Sequence, residues 1–386
     1  TSIERNRRFL CGNAGSSYID SGHLEMNTPE HLRAMDHAAH VHAALLIARQ
    51  AQQAASHKLP GGTQLRVLAN NCDGHVSYGN HYSILTSGRC FNDILHRKPH
   101  LAGFLATHLV TSVPYTGQGM VGAANGRAAC AYQLSQRADW FETFSSIDTM
   151  QRRPLINTRD EPHAATGLAR LHLIYYDLAL APIASLLQAG TLQLVVAMCE
   201  AGWADPNLQL DDPVSAASQI SRDLSLRQRL PLAVRGRKAS SVEIQQEFCQ
   251  LAGEFVASGA VDEAVPDAEE IVAIWNASIQ LLREREIEAL APRCDNWMKY
   301  LLLERHRAGC GIAWGSPDMK ALDLLYSSLD PDEGLFFQMA EAGFVSDMPS
   351  QADIRRFVEE PPDDTRAYLR AQILRRFGDD ISRMDW

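Results

Sequence analysis

The chain has 386 residues, of which 46% are hydrophobic and 21% charged, and its formal net charge is -10 at pH 7. This length is sufficient for one large domain or two ordinary ones with a substantial core. The acidic balance argues against general nucleic-acid binding, and no apolar run approaches the length needed to cross a bilayer. The eight cysteines form no C-x-x-C pair, which indicates reduced thiols in a cytoplasmic protein.

The first half of the chain predicts strands mixed with helices. Residues 17–26 have the pattern of a strand. Thr28 as a cap with Pro29 in the first turn predicts a helix that continues to about Ser56. Its His37 and His40 lie one turn apart, either as two metal ligands or as part of a solvated helix face.

Further along, residues 65–69, 82–86, 130–135 and 169–176 are predicted strands and residues 91–113 a predicted helix. The glycine-rich segment 116–126 is a flexible loop that could approach a nucleotide, although it fits neither the dinucleotide fingerprint nor the P-loop. From residue 183 the pattern is helical, with helices expected at 183–201, 242–258, 268–285, 296–307 and 364–377. The result is an α+β protein whose helical second half covers one face and one end of a sheet.

The segment INTRDEPHA, residues 156–164, concentrates chemically active side chains beside a predicted strand. Arg159 can hold a phosphate or carboxylate through its planar set of donors. Asp160, Glu161 and His163 can ligate a divalent cation or move protons. The alternative is a charged surface loop in which Arg159 pairs with Asp160 or Glu161.

Several blocks, in order along almost the whole chain, resemble the Pup ligase and depupylase family, relatives of glutamine synthetase and the carboxylate-amine ligases. The blocks are SSYIDSGHLEM, NNCDGHVSYGNH, YQLSQRADW, INTRDEPHA, RLHLIYYD, GRKASSVEIQ and PPDDTRAYLRAQILRRFG. The last block is more similar to the depupylase branch than to the ligase branch.

The resemblance implies a curved antiparallel, glutamine-synthetase-like sheet that holds ATP or ADP and Mg²⁺, with helices on its outer face. It also implies a reaction at the C-terminal residue of a small ubiquitin-like, Pup-like protein modifier. Members either ligate the modifier to lysines, or cleave it from them and deamidate its terminal glutamine. Such modifiers are disordered and fold on binding, which suits a helix-in-groove partner. Neither nucleic acid nor membrane is expected as a partner.

Within this resemblance, Asp20 corresponds to the family's essential aspartate and Glu25 to a metal-binding glutamate on the same strand. Their spacing puts them on opposite faces of a regular strand, so a bulge at Ser21 and Gly22 is expected to bring both to one cleft. Asp20 can attack an amide carbonyl or act as a general base on water. Its alternative role is that of a turn aspartate bonded to its own backbone.

The remaining site residues are assigned by chemistry and resemblance together. We expect Asp20 and His172 to be catalytic, with His172 as a proton carrier, and Glu25, Glu161 and His163 to bind metal. Phosphate or carboxylate binding is expected at arginines that could otherwise form surface ion pairs, and two further residues resemble the lining of a nucleotide site. These cofactor-binding residues are Ser135, Gln136, Arg137, Arg159 and Arg366.

Departures from the family pattern fall where nucleotide and metal would lie. No E-x-E strand precedes the first block, Tyr82 stands where the family has a glutamate, and the family's G-D-x-N reads Tyr176, Asp177, Leu178 and Ala179. Tyrosine is no carboxylate ligand for a hard cation, so weakened or absent ATP turnover is expected. A second polypeptide could supply the missing strand.

The sequence therefore predicts a catalytic domain at residues 1–345. A C-terminal helical segment at residues 346–386 would be the start of a shortened closing domain. The leading hypothesis is a depupylase-like amidohydrolase or isopeptidase that uses Asp20. The alternatives are an ATP-dependent Pup-type ligase and a catalytically silent subunit that only binds the modifier.

Overall fold

A computed structural model describes residues 7–10, 12–149, 151–161, 163–261 and 265–381. Its strands are β1 (Arg8–Phe9), β2 (Ser16–Asp20), β3 (His23–Asn27), β4 (Tyr82–Ser87), β5 (Met120–Val121), β6 (Tyr132–Gln133), β7 (Phe141–Ser146), β8 (Arg153–Asn157), β9 (Leu168–Leu173), β10 (Leu230–Pro231) and β11 (Lys238–Ala239). Strands thus concentrate before residue 174, as expected.

The α-helices are α1 (Ala34–Ser56), α2 (Gly88–Asn92), α3 (Pro99–Thr111), α4 (Val113–Thr116), α5 (Pro182–Ala201), α6 (Pro213–Arg222), α7 (Ser241–Ala257), α8 (Ala268–Glu284), α9 (Ile287–Leu290), α10 (Asp295–Cys310), α11 (Pro317–Tyr326), α12 (Leu335–Glu341), α13 (Gln351–Glu359) and α14 (Arg366–Phe377). A π-helical turn, Asp93–Arg97, lies between α2 and α3. The helical second half is confirmed.

The strands pair in small separate ladders. β1, β2 and β3 form an antiparallel sheet. β4 pairs with β9, β5 with β6 and β10 with β11, all antiparallel, whereas β7 and β8 run parallel. The mixed α and β content is confirmed. A single continuous antiparallel sheet is not confirmed, because the ladders of the described residues stay separate and one of them is parallel.

Two local predictions were wrong for identifiable reasons. Residues 65–69 form no strand, and only Leu68 makes a bridge, to Ser328. The helix expected over residues 91–113 is interrupted before Pro99, because proline lacks the N–H that would continue the hydrogen-bond ladder.

Helix α1 begins later than its sequence cap predicts. Its first N–H groups, those of Ala34 and Met35, donate to the Asp267 carboxylate at 2.7 and 3.3 Å. The carboxylate satisfies donors that a helix N-terminus otherwise leaves unpaired. A residue distant in sequence therefore sets the start of α1 in place of Thr28.

Helix α5 lies at the centre of the protein. It is long and apolar enough to cross a membrane by length and composition, so the expectation that no such run exists was wrong. Its most apolar window is 89% buried inside the protein, as is usual for a core helix. Helices α1, α3 and α8 pack against it.

The C-terminal helices contact the N-terminal part of the chain. Ile354 and Phe357 of α13 pack on Ala39 and Ala43 of α1. Ala367, Ala371 and Leu374 of α14 form a second apolar cluster with Ala14. Helix α14 therefore lies beside the β1–β3 sheet, which carries Asp20.

Candidate active site

Asp20 lies at the tip of a β-hairpin. Strands β2 and β3 are joined by Ser21 and Gly22, whose φ angles are 50° and 85°. Positive φ at both turn residues is the requirement of a two-residue hairpin loop. The residues predicted to form one strand with a bulge are therefore two antiparallel strands. The Ser21 hydroxyl donates to the Asp20 carboxylate at 3.2 Å, which is a contact between two turn side chains and not the backbone bond named as the alternative.

The hairpin brings Asp20 and Glu25 to the same face. Asp20 is paired with His23 and Tyr18 with Glu25, and alternate residues of a strand share a face. The Tyr18 hydroxyl donates to Glu25 at 2.6 Å. Burial, followed by this contact with Glu25, raises the pKa of Tyr18 to about 12. The Glu25 carboxylate and the Tyr18 hydroxyl therefore lie on the same face of the hairpin as Asp20 and make that face polar.

A loop of residues 70–81, which we call the bridging loop, lies against this hairpin. The ring of its Tyr78 contacts the His23 ring, with centroids 4.1 Å apart. At its end, His81 meets His172 of β9 edge to face, with centroids 5.1 Å apart. The bridging loop therefore connects the Asp20 hairpin to the strand that carries His172.

Positive side chains surround His81. Desolvation by the surrounding protein, followed by the charges of Arg137, Arg170, Arg159 and Arg153, lowers its pKa to about 4. We call the following set the arginine–histidine group: Arg153, Arg159, Arg170, His81 and His172.

Arg159 is the member of this group with an unengaged charge. Among the described residues its guanidinium has neither a hydrogen-bond partner nor an ion pair, and only its backbone N–H donates, to Asn157 Oδ1 at 2.9 Å. Glu161 pairs with Arg170 at 3.4 Å instead. The surface pair of Arg159 with Asp160 or Glu161 is therefore not formed, and Arg159 can receive an oxyanion.

The role of proton carrier stays a prediction for His172, and the pKa of its ring counts against it. Desolvation, then His81, Arg170 and Arg159, lower its pKa to about 3. A proton carrier needs a pKa near the working pH, and this imidazole is neutral at pH 7. Its Nδ1 lies 3.3 Å from Ser83 Oγ, so we assign it a hydrogen-bonding role.

The residues expected to line a nucleotide site are instead buried in the core. Ser135 and Gln136 are 4% and 3% exposed; the Ser135 hydroxyl donates to the Asp177 carboxylate, and the Gln136 side chain accepts from the Asn71 N–H and donates to the Gly119 carbonyl. Arg137 is 1% exposed. Side chains engaged by the protein in this way do not fit direct contact with a bound nucleotide.

Arg366 is also engaged by a protein partner. Its Nε bonds Glu30 at 2.7 Å, and an Nη donates to the His163 carbonyl at 3.3 Å. Burial alone would raise the pKa of Glu30, but hydrogen bonds and charge from Arg370 and Arg366 outweigh it and lower that pKa to about 2. Arg366 therefore ties α14 to the INTRDEPHA segment, and the expected phosphate contact does not fit this geometry.

The predicted metal ligands do not come together. Within the described ranges no three His, Cys, Asp or Glu side chains are grouped so that they could hold a metal ion. Glu25 accepts from Tyr18, and Glu161 pairs with Arg170. The set Glu25, Glu161 and His163 therefore stays a prediction as a metal site, and the grouping of carboxylate donors that Mg²⁺ needs is not present among the described residues.

The histidines of α1 were also misjudged. His40 is 1% exposed and stacks on Phe357 with centroids 4.0 Å apart, while its ring lies 4.5 Å from that of His31. His40 is therefore not on a solvated helix face, and the described histidines of α1 are not part of a group of three side chains that could hold a metal ion. Desolvation lowers the pKa of His40 to about 4.

Sequence reasoning missed His81 and Tyr78 as site residues. Both lie in NNCDGHVSYGNH, which was used as a block of the family resemblance without a site role for either residue. A dense run of Gly, Asn and Asp next to aromatic and imidazole side chains was the available signal. Such a run is also typical of a loop that contributes residues to a functional site.

The family model and the similar proteins all concern enzymes that attach or remove Pup. The family model described as Pup-ligase protein matches residues 2–386. A Pup deamidase/depupylase of Mycolicibacterium smegmatis is 35% identical over 383 residues, which cover 98% of this chain and 74% of the relative. A Pup–protein ligase of Micrococcus luteus is 31% identical over 385 residues, which cover 96% of this chain and 80% of the relative.

A solved structure is also similar. The structure of the Pup ligase PafA in complex with ADP matches with a TM-score of 0.85 and 26% identity. The match covers 97% of this chain and 81% of that chain.

Proposed function

The chain belongs to the Pup-ligase protein family, and from this premise we propose that it is a depupylase-like hydrolase. Its substrate is the amide or isopeptide bond at the C-terminus of a Pup-like protein modifier. A depupylase relative is 35% identical and a ligase relative 31%, which favours hydrolysis. The observation that carries the proposal is Asp20 at an accessible hairpin tip, on a polar face that adjoins the loop leading to the arginine–histidine group.

Asp20 acts in one of two ways. As a nucleophile, its carboxylate oxygen bonds to the amide carbon, the C–N bond breaks, and the amine leaves with a proton from solvent. Water then hydrolyses the resulting anhydride and regenerates Asp20. As a general base, Asp20 takes a proton from the attacking water, and that proton passes to the leaving amine. Both routes consume one water and yield a carboxylate and an amine.

Arg159 supplies positive charge to the substrate. Its guanidinium holds either the carboxylate of the modifier or the oxygen that becomes negative when the carbonyl is attacked. The rings of His81 and His172 are neutral at pH 7 and offer hydrogen bonds to the substrate. Asp20 has no hydrogen bond or ion pair to Arg159 among the described residues, and in this proposal the substrate contacts both.

We also propose that the protein binds ATP or ADP, without assigning the nucleotide a step in the reaction. The ADP complex of a relative supports nucleotide binding in the family, and here Arg159 is the residue with a charge available for phosphate oxygens. Bound ATP or ADP would contribute phosphate oxygens as a further anionic ligand of this group. No step above passes through nucleotide or Mg²⁺, because the described carboxylates do not fit the metal.

The wider assignments belong to the same proposal. They are a glutamine-synthetase-like curved sheet, a catalytic domain at residues 1–345 and a closing segment at residues 346–386. A cytoplasmic location is supported by the unpaired state of the described cysteines. A second polypeptide that supplies an E-x-E strand is tested by the intact mass of natively purified protein.

Turnover of defined substrates tests the proposal. The protein is incubated with Pup that ends in glutamine, and separately with a Pup–lysine conjugate, and the products are followed by intact mass. We expect amide-to-acid conversion and conjugate cleavage by the natural chain and by Asp318→Asn, an exposed control in α11, but not by Asp20→Asn.

Two other results would reject hydrolysis. ADP release that depends on the modifier, with new conjugates and no cleavage, would identify a ligase. Tight binding of Pup without any product would identify a silent binding subunit.

A further inference from the structure

The Arg137 side chain is enclosed by protein on all sides. It is 1% exposed, and both terminal nitrogens donate to protein acceptors. One bonds Ser77 Oγ at 3.2 Å and also the Tyr78 carbonyl, and the other bonds the Ile174 carbonyl at 2.7 Å. A guanidinium used in this way does not point toward a ligand.

This burial keeps a charge in the interior. Desolvation, followed by the charge of Arg153, lowers the pKa of Arg137 to about 10, so the side chain remains a cation at neutral pH. The Asp177 carboxylate opposes this shift. A buried cation is unfavourable unless its hydrogen bonds are satisfied. The two Nη atoms of Arg137 bond mainly backbone carbonyls of two separate segments, while its Nε has no partner among the described residues.

The two segments are those that form the candidate site. Ser77 and Tyr78 belong to the bridging loop, which contacts His23 through Tyr78 and ends at His81. Ile174 follows directly after β9, which carries His172. Arg153 adds a second bond to the loop, from its Nη to the Ser77 carbonyl at 2.7 Å.

We propose that Arg137 is a positioning residue that locks the bridging loop to the end of β9 and so sets the Asp20 hairpin relative to the arginine–histidine group. It binds no phosphate. This inference deepens the proposed function. Only the expected effect on turnover rests on the proposed function, whereas the two structural readouts do not. A planar guanidinium can bond two segments at once, whereas a lysine ammonium lacks the fixed fork.

The test compares Arg137→Lys with Arg127→Lys. Arg127 also donates to backbone carbonyls, those of Asp139 and Phe141, but it does not touch the bridging loop. Two structural readouts are independent of activity: the ring-current shift of His23 from Tyr78, and hydrogen exchange of the Tyr78 amide, which bonds Asn71 O at 2.9 Å.

In Arg137→Lys we expect the His23 shift to be lost and Tyr78 exchange to rise at least about tenfold, since local opening sets exchange. Turnover should fall roughly a hundredfold, because misplacement of reacting groups by about 1 Å has that effect. The affinity for ADP should stay within about threefold, because the phosphate contact lies at Arg159. Arg127→Lys should behave like the natural chain in every readout.

The opposite pattern overturns the proposal: an unchanged His23 shift and unchanged exchange, with ADP affinity lost. If Arg137→Lys does not fold, Ser77→Ala removes one acceptor and leaves the guanidinium in place. It should then give smaller changes in the same direction, and its failure to alter the His23 shift or Tyr78 exchange would also overturn the proposal. Absence of turnover in the natural chain would contradict the proposed function and leave both structural readouts decisive for Arg137.

Discussion

Tyr82 and Tyr176 contact each other edge to face, with ring centroids 5.4 Å apart and planes at 80°. The resemblance implies a glutamate where Tyr82 stands and a small residue where Tyr176 stands. The Tyr82 hydroxyl donates to Gln188 at 2.8 Å in the buried core. The two replacements therefore fill one volume together, and an aromatic pair occupies the position expected for a metal-binding carboxylate.

This pair predicts that anion binding does not require a divalent metal. We expect the ADP affinity to be equal within about threefold in Mg²⁺ and in EDTA, because the donors that Mg²⁺ needs are not grouped here. Isothermal titration calorimetry of the purified protein measures this directly. A loss of affinity of more than about tenfold in EDTA would show that a metal contributes at this site.

Arg159 predicts a specific loss of anion affinity. Arg159→Ala should weaken binding of ADP or inorganic phosphate by roughly 10- to 100-fold, the range for one hydrogen bond to a charged group. Arg159→Lys should recover part of that loss, because the charge remains while the planar fork is removed.

The matched control is Arg305→Ala, which breaks an exposed ion pair with Glu288 in the helical half. Its affinity should equal that of the natural chain. Equal losses in the Arg159 and Arg305 variants would reject a dedicated oxyanion site.

Buried histidines predict lower stability in acid. Desolvation lowers the pKa of His40 to about 4 and that of His108 to about 3, and these side chains are 1% and 0% exposed. The unfolded chain binds their protons near pH 6.5, so the folded state loses up to about 1.4 kcal/mol per pH unit per histidine as pH falls below that value.

Urea unfolding between pH 7 and 5 measures this slope. His108→Gln keeps a polar group near Thr191 and should reduce the slope by up to one proton, about 1.4 kcal/mol per pH unit. Asp295, whose pKa burial raises to about 6, contributes with the opposite sign, so the difference between variant and natural chain is the relevant quantity. His57→Gln, at the exposed end of α1, controls for the substitution. If the natural chain, His108→Gln and His57→Gln all have the same slope, His108 does not contribute to the loss of stability in acid.

Local patterns in the sequence predicted much of this fold. The strand-rich first half, the helical second half and the motif containing Asp20 follow from periodicity, turn residues and family resemblance. The Ser21–Gly22 hairpin was within reach of sequence reasoning, since two such residues between alternating segments are a turn signal. It was interpreted as a bulge, which is the other structure that glycine in a strand indicates.

Long-range contacts explain what the sequence could not predict. Asp267 caps α1 from 233 residues away, and no local pattern records such a contact. Arg137 was correctly placed in a family motif, but its acceptors Ser77 and Ile174 lie in other segments and determine its role. Burial depends on the tertiary structure, so the motif alone did not show whether Arg137 contacts a ligand or the protein core.

The central claim is that Asp20 and Arg159 serve one site although they belong to different segments. A double-mutant cycle on kcat/KM with Asp20→Asn, Arg159→Lys and the double variant tests it most directly. Residues that act on one substrate are non-additive, so we predict that the double variant is scarcely slower than Asp20→Asn alone. If the two losses multiply as for independent sites, Asp20 and Arg159 do not share a site and the account is contradicted.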